Sequence, residues 1–286
     1  MNKLSPYLLG LSVAVACSLT AAAQESSPAT PSFPKVLQIS REFTKPYKGG
    51  AAHDKTESAF VEAFTKAKWP THYIGMTSLS GKSRALYLTP YASFEAWEKD
   101  YAAIQKNTVL AGELERAFVA DGELLDEVDQ GVFVYSEESS LHPMTDLSHQ
   151  RFMEVSLYQV RPGHTREWRE AVKMVKGAYE KAGTGNHWAM FHEAYGGLGG
   201  RYLVLQSHKT LAEIDSDFLN DKKFAEALGD DGLKHLDELI AESVESAQHE
   251  LFQINPRMSY VSDEWIAADP DFWKPKPAPE QAKVNP

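Results

Sequence analysis

The strongest candidates for chemistry in this sequence are polar and aromatic side chains that share one face of predicted strands. Glu154 lies on the same face as Ser156 and Tyr158, and a carboxylate there would serve as a proton acceptor if a semi-closed cavity raised its pKa. The predicted ligand-binding residues are Gln38, Ser40, Glu42, Tyr87, Glu154, Ser156, Tyr158, His192 and Tyr202. The alternative is a hydrogen-bonded interface between two halves of the protein, and both interpretations stay open.

The histidines predict no metal site. His187 and His192 are five residues apart and fall on opposite faces of a strand, so they cannot chelate one ion. His192-Glu193 lacks the second histidine that a zinc-protease motif requires four residues after the first. His192 could instead be a core histidine or an axial haem ligand. His53, His72 and His208 are predicted at exposed edges of elements, where histidine is ordinary.

Three further features have mainly structural interpretations. Arg84 and Arg201 begin corresponding strands and are predicted to pair with acidic helix ends, with an anionic ligand as the alternative. The glycine-rich segment Tyr195–Gly200 leads into a strand rather than a helix, which predicts a hairpin loop, or a lip over the cavity, and not a phosphate loop. No Ser-His-Asp order or nucleophile-elbow motif supports a hydrolase.

The elements that position these residues are duplicated. At a constant offset of 117, residues 84–101 match residues 201–218: Arg84 meets Arg201, and Leu86 meets Leu203. Both segments show strand alternation, a hydroxyl residue at a helix N-cap, Ser93 or Thr210, and then apolar residues at helical spacing. A strand, a cap and an apolar stripe that match together indicate an internal duplication.

Each copy is predicted to be a β-α-β-β-α-β unit, the ferredoxin-like arrangement. The first strands are Val36–Phe43 and Phe152–Val160, and the fourth strands are Gly131–Ser136 and Glu250–Ile254. The apolar alternate residues are predicted to face the helices, which would turn the polar set toward the other copy; a one-residue error in register would reverse this. The apolar residues concerned are Leu37, Ile39, Leu86, Leu88, Met153, Val155, Leu157, Leu203 and Leu205.

Two such units packed sheet to sheet resemble the dimeric α+β-barrel superfamily, over roughly residues 36 to 260. That superfamily includes antibiotic-biosynthesis monooxygenase and NIPSNAP-type domains and tandem chlorite dismutase-like haem proteins. The resemblance is one of architecture. It implies small-molecule binding between the sheets, with cofactor-free oxygenation in some members and haem chemistry in others. It carries no catalytic residue to this chain.

Composition and the chain ends predict export. Lys3, an apolar run and Ala21-Ala22-Ala23 form a secretory signal that would remove Cys17, the only cysteine. A lipoprotein anchored through Cys17 is less favoured, because residues 14–16 make a poor lipobox. The predicted boundaries are signal 1–23, tether 24–34, repeat one 35–138, linker 139–150, repeat two 151–260 and Pro-rich tail 261–286. Trp265, Phe272 and Trp273 are predicted to dock the tail.

The sequence therefore predicts an exported α+β protein, in the periplasm or secreted, that binds a small organic molecule between two sheets. A net charge of −11 argues against nucleic acid, and no transmembrane segment is expected. No resident cofactor is predicted, with haem as the less favoured alternative. Two other functions stay open: an oxygenase or haem enzyme of the same fold, and a structural protein without a ligand. The pattern does not decide whether the chain is an enzyme or a homo-oligomer.

Overall fold

A computed structural model describes residues 33–274, so the predicted signal peptide, nearly all of the tether and the end of the tail lie outside the described residues. The first half contains β1 (Val36–Thr44), α1 (Ala51–Ala67), β2 (Ile74–Ser78), β3 (Arg84–Tyr91), α2 (Phe94–Lys106), α3 (Thr108–Gly122) and β4 (Leu125–Tyr135). The second half contains β5 (Phe152–Val160), α4 (Thr165–Ala182), β6 (Ala189–Tyr195), β7 (Arg201–His208), α5 (Leu211–Ser243) and β8 (Val244–Ile254). Two short helices follow, α6 (Asp263–Ala268) and α7 (Pro270–Trp273).

The eight strands form one closed antiparallel barrel in the order β1-β3-β2-β8-β5-β7-β6-β4. Each half contributes four neighbouring strands in the ferredoxin-like order, β4-β1-β3-β2 in the first and β8-β5-β7-β6 in the second. The halves join twice, where β2 pairs with β8 and where β4 pairs with β6. The predicted pair of β-α-β-β-α-β units that form an internal α+β barrel is therefore confirmed.

The element positions also confirm the repeat. β3 and β7 begin at Arg84 and Arg201, and α2 and α5 begin at Phe94 and Leu211, all at the predicted offset of 117. α5 is longer than expected because two helices run together across Gly229, whose φ of 70° and ψ of 169° are not helical. The fourth strands begin six residues earlier than predicted, at Leu125 and Val244.

The barrel interior is the main hydrophobic core, and it corrects the predicted strand faces. Leu37, Leu86, Met153 and Leu203 belong to one buried cluster that includes side chains from all eight strands. The residues predicted to face the helices therefore point into the barrel. The alternation was identified correctly, but its direction was wrong, because a closed barrel makes its interior drier than the surface beneath the helices.

The start of the tail docks on this core as predicted. Trp273 is 6% exposed, and its indole Nε1 donates to the Ser148 carbonyl oxygen at 2.8 Å. Trp265 and Phe272 pack against the same cluster, and Arg151 lies 3.8 Å from the centre of the Phe272 ring. Within residues 33–274, no helix has the length and apolar character needed to cross a membrane.

Candidate functional site

A cavity of about 320 Å³ opens at one end of the barrel. The strand residues that line it are interior-facing and apolar, and they come from β1, β2, β3, β5, β6 and β7: Leu37, Ile74, Leu88, Met153, Ala189, Phe191 and Leu205. Segments outside the barrel complete the wall with Phe33, Met144, Leu147, Val261 and Trp265. The cavity is therefore bounded by the interior faces of six strands and by segments outside the barrel.

Few polar groups reach this cavity. His72, Thr145, His187, Ser207 and Ser262 lie in its wall, and no Lys, Arg, Asp or Glu is among the described residues that line it. A ring nitrogen of His187, Nε2, lies 3.0 Å from the Ser207 carbonyl oxygen and is thereby oriented. Burial lowers the pKa of His72, so its imidazole is neutral near pH 7. The cavity is suited to a neutral apolar molecule with one or two hydrogen-bonding groups.

The opposite end of the barrel is filled by ion pairs. Arg84 pairs with Glu250, Arg41 with Asp129, and the Arg201 Nη1 lies 3.5 Å from Glu193 Oε1. The repeated arginines therefore pair with carboxylates on strands, and the predicted pairing with helix ends was wrong. The Tyr195–Gly200 segment is the expected hairpin loop. It joins β6 to β7 at this ion-paired end, and it is not a lip over the cavity.

The residues predicted to line the space between the sheets lie on the outer surface of the barrel instead. Tyr158 and Tyr202 contact Trp168 of α4. Their ring centres lie 5.0 and 5.2 Å, respectively, from that of Trp168. Ser156 lies 2.9 Å from His249 Nδ1 at an exposed position, and His192 is exposed near the end of β6. Gln38 and Ser40 have the same outward parity on β1. Their predicted location between the sheets was wrong, because the apolar residues occupy the interior of the closed barrel and the polar residues therefore point outward.

Glu154 is also on the outer surface. Its Oε1 lies 2.7 Å from His208 Nε2. His208 is 1% exposed, so its predicted exposed position was wrong. Asp217 of α5 completes this small cluster, and burial raises the pKa of its carboxyl.

Glu42 belongs to a second, fully buried polar cluster beneath α1 and α3. His53 of α1 directs Nε2 toward three carboxylate oxygens, at 3.3 Å from Glu42 Oε2, 3.4 Å from Asp121 Oδ1 and 3.8 Å from Glu57 Oε1. None of the four residues is more than 7% exposed. The prediction that His53 lies at an exposed edge was wrong. Tyr87, another predicted ligand-binding residue, is buried beside this cluster.

The cluster holds its protons tightly. Burial alone would lower the pKa of His53, but hydrogen bonding to Asp121 and Glu42 and the surrounding negative charge raise it to about 10. Burial and the charges of Glu42 and Asp121 raise the pKa of Glu57 to about 9. Near pH 7 His53 is therefore an imidazolium and the Glu57 carboxyl is neutral.

Sequence patterns did not identify this cluster as a site. His53 and Glu57 are spaced i, i+4 and so share one helix face, which was the available signal. Glu42 and Asp121 come from β1 and α3, 11 residues before and 68 residues after His53, and only the folded topology brings them together. The sequence does not predict the cavity either, because several strand residues that line it belong to the apolar set predicted to face the helices.

The haem ligand predicted from the sequence lies outside the cavity. An axial ligand must project from the wall of a haem pocket, but His192, the predicted candidate, is exposed on the outer surface. In the cavity, His187 Nε2 lies 3.0 Å from the Ser207 carbonyl oxygen, and His72 is the other histidine of the wall. The described lining also offers no cation to a carboxylate-bearing macrocycle.

Comparison with solved structures supports the fold. The chain is similar to a proposed monooxygenase from Fusobacterium nucleatum, with a TM-score of 0.50, 12% identity, and coverage of 78% of this chain and 93% of that one. It is also similar to an anthrone oxidase-like protein (TM-score 0.49, 11% identity, 79% and 93% covered). A mutant chlorite dismutase from Candidatus Nitrospira defluvii aligns with a TM-score of 0.45 and 8% identity over 83% and 96%.

No protein-family profile matches the chain, and neither does any curated protein sequence. The protein has the dimeric α+β-barrel fold, with both halves of the barrel in one chain. At these identities the likeness is one of fold.

Proposed function

We propose that this protein binds a neutral, mainly apolar small molecule in the open end of its barrel. The observation that carries the proposal is the cavity of about 320 Å³, which lies within the size range of small-molecule sites and has apolar strand residues around most of its wall. His72, His187 and Ser207 provide the few polar contacts that would orient such a molecule.

The contrast between the barrel ends supports this assignment. One end is filled by the Arg84–Glu250 and Arg41–Asp129 pairs, whereas the other is open and uncharged. A ligand that entered the open end would meet Phe191, Met153 and Leu37, which are at most 4% exposed, and burial of its apolar surface would supply the binding free energy. An anionic ligand is disfavoured because the described lining offers it no Lys or Arg.

The test uses N-phenyl-1-naphthylamine, a neutral fluorescent probe, with the full chain. We expect saturable binding to one site with a fluorescence increase. The Ala189→Phe variant fills the cavity and should weaken binding about tenfold or more, since the probe would lose its space. The matched control is Ala103→Phe on the exposed side of α2, which should bind as the parent does.

Equal binding by the parent and by Ala189→Phe, with both proteins folded by circular dichroism, would contradict the proposal. Native mass spectrometry of the freshly purified protein adds an independent measurement. A co-purified organic molecule that is lost in Ala189→Phe, but retained in Ala103→Phe, would identify the natural occupant.

A second candidate is cofactor-independent oxygenation in the same cavity. The observation that favours it is His72, whose lowered pKa leaves a neutral imidazole at the cavity wall to accept a proton from an acidic C–H or O–H group. Oxygen uptake by the full chain with its extracted occupant would measure this activity. Equal uptake by the parent and by His72→Phe would exclude that role for His72.

We also propose that the chain is exported, on the basis of its N-terminal sequence. Mass spectrometry of the mature protein should find an N-terminus at Gln24. A lipid-modified Cys17 at the N-terminus would instead indicate a membrane-anchored form.

A further inference from the structure

We propose that Glu42, His53, Glu57 and Asp121 form a binding site for one divalent first-row transition-metal ion, with Zn²⁺ the best match to the four-donor geometry and Mn²⁺ the next. The site lies outside the barrel, between β1, α1 and α3. It is separate from the proposed ligand cavity, and neither proposal depends on the other.

The first support is the convergence of four donor atoms. His53 Nε2, Glu42 Oε2, Glu57 Oε1 and Asp121 Oδ1 come within 4.8 Å of one another. The distances from the nitrogen to the three oxygens are 3.3, 3.4 and 3.8 Å. Ligands at ~2.1 Å from a tetrahedral ion lie ~3.4 Å from each other, so the distances from His53 to the three oxygens are close to those of a coordination shell.

The second support is that the cluster is poorly satisfied as a hydrogen-bonding network. His53 has one proton on Nε2 and three oxygens around it. Glu57 is 3% exposed, and its Oε1 has no hydrogen-bond partner among the described residues. Thr56 donates to Asp121 Oδ1, and the Tyr87 hydroxyl is buried next to Glu57, so the shortfall is confined to Glu57 Oε1. Such groups are costly to bury without partners, and an ion coordinated by Glu57 Oε1 would remove part of that cost.

The third support is an internal comparison with the second repeat. Corresponding positions are identified by β1 and β5, which share a bulge at the same place, and by the left-handed C-caps of α1 and α4. The second repeat has Tyr158 where the first has Glu42, Trp168 in place of His53 and Val172 in place of Glu57. Those three side chains pack in an apolar cluster. The fold therefore does not require buried acids at these positions.

The donor set defines the class of ion. One imidazole with three carboxylates suits a borderline or hard divalent metal rather than a soft ion that prefers thiolates. A divalent ion would also offset two of the three negative charges of the carboxylates in a region that excludes water. All four protein donors converge and are buried, which is typical of a structural site rather than a catalytic one.

The experiment is elemental analysis of the full chain after expression in medium that contains zinc, manganese and iron. We expect about one ion per chain. The Glu57→Gln variant keeps the size of the neutral side chain and should fold, and Glu57→Val copies the second repeat. Both variants should contain less metal per chain than the parent, by about tenfold or more. The control is Glu170→Gln, which alters a carboxylate 3.0 Å from a histidine at the surface and should retain the ion.

A second measurement uses protein stripped with a chelator and then titrated with Zn²⁺ or Mn²⁺ in a weakly buffered solution near pH 7. We expect saturation at one ion per chain. Failure of stripped, folded parent protein to bind either ion overturns the proposal. Retention of metal by both Glu57 variants overturns it as well, because the ion would then lie elsewhere.

Discussion

His53 of α1 and Trp168 of α4 are structural counterparts. Each lies fifteen residues before the left-handed residue that ends its helix, Lys68 or Gly183, and they are 2% and 3% exposed. Each therefore occupies the same place between helix and barrel. One copy surrounds it with carboxylates and the other with aromatic rings.

The stability of the metal-free protein should fall as the pH rises. His53 has its pKa raised from 6.5 to about 10 by folding, so its contribution is complete below about pH 6.5 and is lost as the pH rises through 10. Glu57 acts in the same direction between 4.5 and about 9. We expect the free energy of unfolding, measured in urea at pH 6 to 10, to fall by on the order of 1 kcal/mol or more.

The matched variant for this prediction is Glu57→Gln, which cannot lose a proton. Its stability should depend less steeply on pH than that of the parent. An identical pH profile for the two proteins would show that Glu57 is already ionised in the native state at neutral pH.

The interior of the barrel should tolerate truncation poorly. Phe133 is 1% exposed and contacts the main core, so Phe133→Ala should lower the free energy of unfolding by about 3–5 kcal/mol. Phe118 is 61% exposed, and Phe118→Ala should cost less than about 1 kcal/mol. Chemical denaturation of both variants would compare the positions, and equal losses would argue against the barrel interior as the dominant core.

At the ion-paired end of the barrel, substitutions of paired charges should have strongly coupled effects on stability. Arg84 and Glu250 are both largely buried, and the Arg84 guanidinium also lies 5.3 Å from the Phe43 ring centre. Arg84→Met leaves Glu250 without its partner and should cost about 3 kcal/mol. The double variant Arg84→Met with Glu250→Leu should recover most of that loss. A double-mutant cycle with no coupling would show that the pair contributes nothing specific.

The docked tail should stabilise the cavity wall. Trp273→Ala removes a buried indole and its hydrogen bond to Ser148, which should lower the free energy of unfolding by about 3 kcal/mol. Trp265 lines the cavity and contacts Trp273, with ring centres 5.8 Å apart, so probe binding should weaken too. Phe94→Ala, at a more exposed aromatic residue, is the control. Unchanged probe binding in Trp273→Ala would separate the tail from the cavity.

The sequence was sufficient to predict the fold because its signals are local and repeated. Leu86 with Leu88 and Leu203 with Leu205 show strand alternation, and Ser93 caps α2 through the Ala96 amide at 3.1 Å. These patterns depend only on neighbouring residues. Their duplication at one offset indicates that the two halves share an architecture.

The site could not be predicted to the same degree, because strand parity distinguishes two faces without saying which one is enclosed. Leu37 and Gln38 alternate as expected, but the prediction that Gln38 faces the other copy requires the helix-covered side to be the driest. Closure of the barrel through β2·β8 and β4·β6 makes the interior drier still. The approach of Asp121 to His53 is likewise a long-range contact that no local pattern encodes.

Both halves of the barrel belong to one polypeptide. In a barrel of two identical chains, every substitution would appear twice, and a favourable change on one side could be harmful on the other. Covalent linkage removes that constraint. One half can therefore hold four buried ionisable groups where the other has packed aromatic rings. The cavity at one end of the barrel likewise needs no symmetry-related copy.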